Sequence, residues 1–184
     1  RAMPSRFQNG SRLLLKILLF AEKKGMGVSF NPGKSEIVLG LEKLRPFLEK
    51  VDVLLLNRQE AGMLTKEKQV KKQLQKLQQI VPLAVVTEDS KGAHCFDGAF
   101  YYFKPAYKVK IADTTGAGDA FHSGFVSAII KGLPVEKAMD FGTANAQSVI
   151  MHFGAKNKLL SEREMHHFLE MHKTGKTRAI KEKI

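Results

Sequence analysis

Residues 52–60 read Asp-Val-Leu-Leu-Leu-Asn-Arg-Gln-Glu. Asp52 to Leu56 (DVLLL) is read as a buried strand, and since Val53 to Leu56 offer no polar face it must be covered on both sides. That is the habit of a parallel sheet between helices, whereas a half-solvated antiparallel strand alternates apolar and polar residues. Asn57 to Glu60 then switch at once to helix-start residues. The same pattern recurs in both directions. Leu83 to Thr87 (LAVVT) runs into a polar turn, and Gly27 to Asn31 (GVSFN) is a short strand ended by Pro32-Gly33. Between them lie helical segments: residues 11–24, closed by Gly25; Ile37 to Lys50; Arg58 to Leu64; and Lys66 to Ile80, with Val70, Leu74, Leu77 and Ile80 on one stripe. Ala93 to Phe96 and Phe100 to Phe103 form a predicted hairpin around Asp97-Gly98. Further helices are expected near Gly116 to Lys131, Val135 to His152 and Glu162 to Met171. Short apolar strands alternating with helices predict an α/β fold: three layers, doubly wound, with a mostly parallel sheet.

The chain has 184 residues, with 43% hydrophobic and 26% charged residues. That suits one globular domain and excludes disorder throughout. The expected domain spans 1–171. Residues 172–184 (HKTGKTRAIKEKI) lack apolar periodicity and are expected to fray as a basic tail. The single cysteine, Cys95, excludes an intrachain disulfide and a cysteine-based metal site, and fits a cytoplasmic setting. No apolar run approaches the roughly 18 residues of a spanning helix, so no membrane role is expected. The start, RAMPSRFQNGSR, precedes no clear cleavage site and is not read as a signal peptide.

Lys and Arg total 30 against 18 Asp and Glu, a formal net charge of +12. Such an excess points to an anionic partner: nucleic acid, an anionic membrane surface or a phosphorylated small molecule. Much of it has a plainer place. Lys66, Lys68, Lys71, Lys72 and Lys76 lie away from the apolar stripe of their segment, and Lys173, Lys176, Arg178, Lys181 and Lys183 lie in the tail. Charge runs of this kind are usually solvated. No helix-turn-helix, zinc-finger or RNA-binding motif accompanies them, so no specific nucleic-acid partner is expected, and a basic nucleic-acid-binding protein stands as the remote alternative.

Three stretches carry chemistry. Asp113-Thr114-Thr115-Gly116-Ala117-Gly118-Asp119 opens an apolar helix. Glycines there let the backbone approach a ligand, and a helix start with free amides attracts an anion. Asp119, itself an anion, suits a base that takes the proton of an attacking hydroxyl while the amides hold a phosphoryl group. The plainer reading is a capping loop with a first-turn acid. Asn57 and Glu60, three apart at a strand's carboxyl end, could hold magnesium through water. Equally, they could be an N-cap and its capping-box partner. Thr87-Glu88-Asp89-Ser90-Lys91-Gly92 suits phosphate contact or is an ordinary polar turn. His122 and the other helix histidines, and Tyr101, Tyr102 and Phe103, are read as packing residues, and no transition-metal site is expected.

Taken together these stretches resemble the ribokinase-like (PfkB) family of carbohydrate and nucleoside kinases. DTTGAGD is similar to that family's C-terminal signature, NRQE to its N-x-x-E motif and TEDSKGA to its T-x-G-x-x-G nucleotide loop. Order and spacing agree from Gly25 to Leu169. The resemblance implies a ribokinase-like fold and an ATP-dependent, magnesium-requiring phosphotransferase acting on a sugar or nucleoside hydroxyl. By the same resemblance, Asp119 is the base and the amides of Gly116, Ala117 and Gly118 are the anion hole. Asn57 and Glu60 organise magnesium and the nucleotide phosphates, Thr87 to Gly92 line the nucleotide, and Thr143 and Asn145 lie near the adenine. Asp113, Thr115 and Gly154 match positions that in many members surround potassium. Two departures stand out. Asp89 replaces a usual glycine, and the family's N-terminal region, with its β lid, Gly-Gly motif and most acceptor-binding residues, has no counterpart here. The chain is therefore expected to be the nucleotide-binding and catalytic part, inactive alone if truncated. A nucleotide-binding relative without turnover is the alternative. Family dimers commonly pair through the lid, so a homodimer would form through the missing region. GTANAQSVI leans towards nucleoside-kinase members.

Overall fold

The computed structural model describes residues 5–155, 157–172 and 179–183. Its elements are α1 (Ser5–Lys23), β1 (Ser29–Phe30), α2 (Lys34–Ile37), α3 (Leu41–Leu48), β2 (Val53–Asn57), α4 (Arg58–Thr65), α5 (Val70–Gln78), β3 (Leu83–Thr87), a 3-10 turn (Asp89–Lys91), β4 (Gly92–Phe96), β5 (Phe100–Pro105), α6 (Ala117–Ile130), α7 (Val135–Ile150), α8 (Glu162–Met171) and β6 (Ile180–Lys183). The fold is α/β, built on a six-stranded sheet whose strands follow chain order from β1 to β6. The β1–β2 pair is parallel and the β5–β6 pair antiparallel.

Contacts group the chain into two compact units, where length alone suggested one domain. The first runs to Val86 and includes Phe96–Gly98; the second holds Thr87–Cys95 and everything from Ala99 onward.

In the first unit, β2 is buried along Val53, Leu54, Leu55 and Leu56, as its unbroken apolar run requires. Asp52, just before it, anchors the neighbouring chain: its Oδ2 accepts from the Val28 amide at 2.7 Å, and its carbonyl accepts from the Leu83 amide at 3.1 Å. Leu44, Leu48, Leu74 and Leu77 complete the core. Two helix boundaries differ from expectation. Ile37 to Lys50 is not one helix, because Gly40, at φ 83°, separates α2 from α3. Lys66 does not open the next helix. At φ 64° it is the left-handed C-cap of α4, and α5 begins at Val70. A left-handed residue ends a helix by turning its backbone out of register. On α1, Leu18 and Ala21 are buried while Leu13, Ile17 and Phe20 are exposed.

The second unit is organised by α6 against α7. Close approach depends on a glycine from each helix. A methyl group at Gly124 would lie 2.7 Å from the Phe141 carbonyl oxygen, and one at Gly142 would lie 3.0 Å from the Phe121 ring. Lys104 of β5 is only 2% exposed; its Nζ donates to Asp140 Oδ1 at 2.6 Å and lies 4.7 Å from the centre of the Tyr107 ring. Within the stretch expected to fray, residues 180–183 form a strand. Ile180–Lys183 pairs with β5, Tyr102 opposite Lys181, and Lys181 reaches Glu136 at 3.1 Å and the Phe100 ring at 4.1 Å. A sheet edge recruits a strand through backbone bonds, which an apolar pattern does not report. Lys173, Lys176 and Arg178 of that tail lie outside the described residues.

Candidate active site

In the first unit, Asn57 is the last residue of β2 and the N-cap of α4. Its Oδ1 accepts from the Glu60 amide at 2.9 Å, and Glu60 Oε2 accepts from the Asn57 amide at 2.8 Å. This is a complete capping box. The plainer of the two readings of this pair is thus present. It occupies one oxygen of each side chain and leaves Glu60 Oε1 outside the box.

In the second unit, α6 begins differently. Gly116 is its N-cap at φ 82°, a left-handed conformation, and no side chain caps the helix. Its position is forced by packing: a methyl group there would lie 2.5 Å from the Ala155 carbonyl oxygen. Two residues on, Gly118 has no neighbouring atom within 4 Å of such a methyl, so the space beside its backbone is open. The Ala117 amide reaches the Thr114 carbonyl at a long 3.3 Å. The first-turn amides of a helix have no intrahelical acceptor, and with the helix dipole they favour an anion. Asp119 is exposed in that first turn. One turn on, burial lowers the pKa of the His122 imidazole from its ordinary value, opposed by the nearby Asp119 charge.

Asp113 ties the ends of this segment together. Its Oδ1 accepts from the Thr115 amide at 2.9 Å and from the Thr115 hydroxyl at 2.8 Å, while Oδ2 accepts from the Gly154 amide at 3.2 Å. These bonds, the Thr115 amide foremost, hold the carboxyl below its ordinary pKa. Asp113, Thr115 and Gly154 therefore meet, although 41 residues separate the first from the last.

The loop after β3 is tightly made. The Glu88 amide donates to the Gly92 carbonyl at 2.8 Å, and the Lys91 amide donates to the Glu88 carbonyl at 2.9 Å. Asp89 sits at φ 43° and Gly92 at φ 121°. A methyl on Gly92 would lie 2.0 Å from the Lys104 carbonyl oxygen, so only glycine fits. Asp89 stands in a backbone region that glycine enters freely and aspartate tolerates better than most residues, so replacing the glycine keeps the turn. Thr87 and Glu88 are partly buried, and Asp89, Ser90 and Lys91 are exposed.

On α7, Asn145 is engaged internally. Its Nδ2 donates to the Ala120 carbonyl at 2.8 Å and to Ser123 Oγ at 3.1 Å, and its Oδ1 accepts from the Leu160 amide at 2.9 Å. It is a tie between α6, α7 and the chain before α8. Thr143 is buried, and its hydroxyl has no hydrogen-bond partner among the described residues. Sequence reasoning missed His94, which links Glu88 to Tyr101. Its only signal was a histidine in an otherwise apolar strand.

No helix among the described residues is long and apolar enough to cross a membrane, and no cluster of three His, Cys, Asp or Glu there could hold a metal ion.

Comparison with known proteins follows the same lines. The model of the pfkB family carbohydrate kinases matches residues 11–162. A cytidine kinase from Thermococcus kodakarensis is 34% identical over 145 residues, 76% of this chain and 52% of that relative. The crystal structure of a Methanocaldococcus jannaschii nucleoside kinase, an archaeal member of the ribokinase family, superposes with a TM-score of 0.71 at 29% identity, over 80% of this chain and 49% of that one. A putative ribokinase II from E. coli, solved with ATP and Mg2+, shares the fold at a TM-score of 0.77 and 20% identity, over 86% of this chain and 53% of its own. The chain spans about half the length of the relatives it matches. With the family model matching most of its residues and its strand-end motifs in the family's order, the chain belongs to the pfkB family of carbohydrate kinases.

Proposed function

We propose that the protein, at its full length, transfers the γ-phosphoryl group of ATP to a hydroxyl of a sugar or nucleoside in the cytoplasm. The observation that supports this most is the start of α6: an uncapped helix turn at Gly116, open space beside Gly118 and an exposed carboxylate at Asp119. Asp119 accepts the proton of the acceptor hydroxyl. The amides of Gly116, Ala117 and Gly118 hold the negative charge of the phosphoryl group, and because their backbone is preset they need no reorganisation as that charge shifts. Magnesium-bound ATP supplies the group transferred.

Thr87, Glu88, Asp89, Ser90, Lys91 and Gly92 position the nucleotide phosphates, with Lys91 as the cation of the loop. The partnerless Thr143 hydroxyl is one a bound nucleotide could satisfy, whereas Asn145 acts by holding α6 and α7. Glu60 Oε1, outside the capping box, fits a magnesium ion through water, and Asn57 holds Glu60 in place. Asp113, Thr115 and Gly154 would flank a potassium ion whose charge steadies the anion hole. Relatives described as a cytidine kinase and a nucleoside kinase favour a nucleoside acceptor. The deciding experiment is Asp119→Asn in the full-length protein: phosphorylation within a few-fold of wild type removes Asp119 as the base.

A second reading, nucleotide binding without turnover, is favoured by the half-length match and by the Asp89 carboxylate. Calorimetry with Mg-ATP, beside a coupled assay over sugars and nucleosides, separates the two. Binding without turnover by both this chain and a longer one supports the second.

A further inference from the structure

Glu88 places a carboxylate inside a loop meant for a polyanion. Its side chain is 12% exposed, and both oxygens are engaged: Oε1 accepts from Lys91 Nζ at 2.7 Å, and Oε2 lies 3.1 Å from His94 Nε2. On the far side of the imidazole, Nδ1 lies 2.5 Å from the Tyr101 hydroxyl, and the ring stacks on Phe103 at 4.6 Å. Burial, then the charges of Glu182 and Glu88, push the Tyr101 phenol up to about 12, so it keeps its proton near neutrality. Glu88 as a carboxylate accepts from Nε2–H; a neutral ring then accepts the Tyr101 hydroxyl at Nδ1, and a protonated ring donates to it. His94 and Tyr101 lie on β4 and β5, rigid strands, whereas Glu88 and Lys91 lie on the loop. That loop contains two positive-φ residues, Asp89 and Gly92, and such backbone persists only where its surroundings hold it.

We infer that His94 is a positioning residue for nucleotide binding: the chain Tyr101–His94–Glu88–Lys91 pins the 87–92 loop to the sheet, fixing its amides and the Lys91 ammonium where a polyphosphate binds. Lys91 and the His94 contact offset part of the Glu88 charge and hold its carboxylate within the loop. This rests on the nucleotide reading above, but the pin itself is a statement about the loop alone.

The test uses His94→Phe, which keeps a ring against Phe103 but loses both polar contacts, and His94→Gln, which can return an N–H to Glu88. Mg-ATP affinity is measured by calorimetry and amide hydrogen exchange is followed across residues 88–92. His94→Phe should weaken Mg-ATP at least fivefold and speed loop exchange, while His94→Gln stays within about twofold of wild type. Tyr101→Phe gives the same two readouts if His94→Phe does not fold. The inference is overturned if affinity and exchange do not change together, or if His94→Gln fares no better than His94→Phe. If the wild-type protein binds no Mg-ATP, the nucleotide reading falls and takes the positioning role with it. Loop exchange then decides the pin separately, and unchanged exchange overturns that as well.

Discussion

The starts of α4 and α6 follow strand or loop segments of similar outward chemistry, and each offers a carboxylate in the first turn. They are made in opposite ways. At α4, Asn57 and Glu60 close a reciprocal capping box on their own amides. At α6, Gly116 brings no side chain, the helix start is uncapped, and Asp119 stands exposed. One helix satisfies itself; the other leaves amides for something else. The lesson is that residue types at a helix start do not distinguish a site from a cap. What distinguishes them is where the side-chain oxygens point.

The contrast can be broken by substitution. The largest effect is expected from Asp119→Asn, which should lower phosphorylation by the full-length protein by about 10²- to 10⁴-fold, the usual contribution of a general base, with thermal stability nearly unchanged. Next come two identical substitutions two residues apart. Gly116→Ala forces a methyl into the Ala155 backbone at positive φ and should cost about 2 kcal/mol or more of folding stability in denaturant titrations. Gly118→Ala meets open space and should leave the unfolding midpoint within about 0.5 kcal/mol of wild type while weakening Mg-ATP binding. Equal stability loss for both would erase the difference drawn between them.

At α4 the order reverses. Asn57→Ala should cost about 1 kcal/mol of stability through the lost cap. Glu60→Gln retains an acceptor for the capping box, so stability should hold, and a raised magnesium requirement in a titrated kinase assay would separate the metal role from the cap. The smallest effect is at Asp113. Its carboxyl pKa is lowered in the fold, so its stabilising contribution is fully present above the ordinary value of 3.8 and is lost as pH falls through the lowered value. Asp113→Asn should flatten that acid limb, read as unfolding midpoint against pH.

Much of this was legible in the chain. β2 and β3 are unmistakable because apolar runs with no polar face must be buried on both sides. The hairpin around Asp97-Gly98 follows from turn chemistry, and α4 begins where the sequence changes from Leu56 to polar residues. Lys66 misled because a lysine before an amphipathic stripe reads as helix, while the local backbone turns left-handed there. β6 was hidden because Ile-Lys-Glu-Lys has no buried face; it is held by backbone bonds to β5 and by Lys181 over an aromatic ring. His94 was hidden because a hydrogen-bond chain through a strand is not periodic.

Residue order alone determined the α/β class, the buried strands, the helix starts at strand ends and the family motifs, since hydrophobic periodicity and turn residues act over a few neighbours. Tertiary structure alone decided that Asp113 reaches Gly154 and that Asn145 is a tie between helices, while for Asn57 and Glu60 the structure chose between two readings the residues already offered. It also decided that Glu88 pairs with Lys91 and His94. The long-range ties depend on packing between distant segments, and among the local pairs spacing allows the contact while the fold decides which reading is realised.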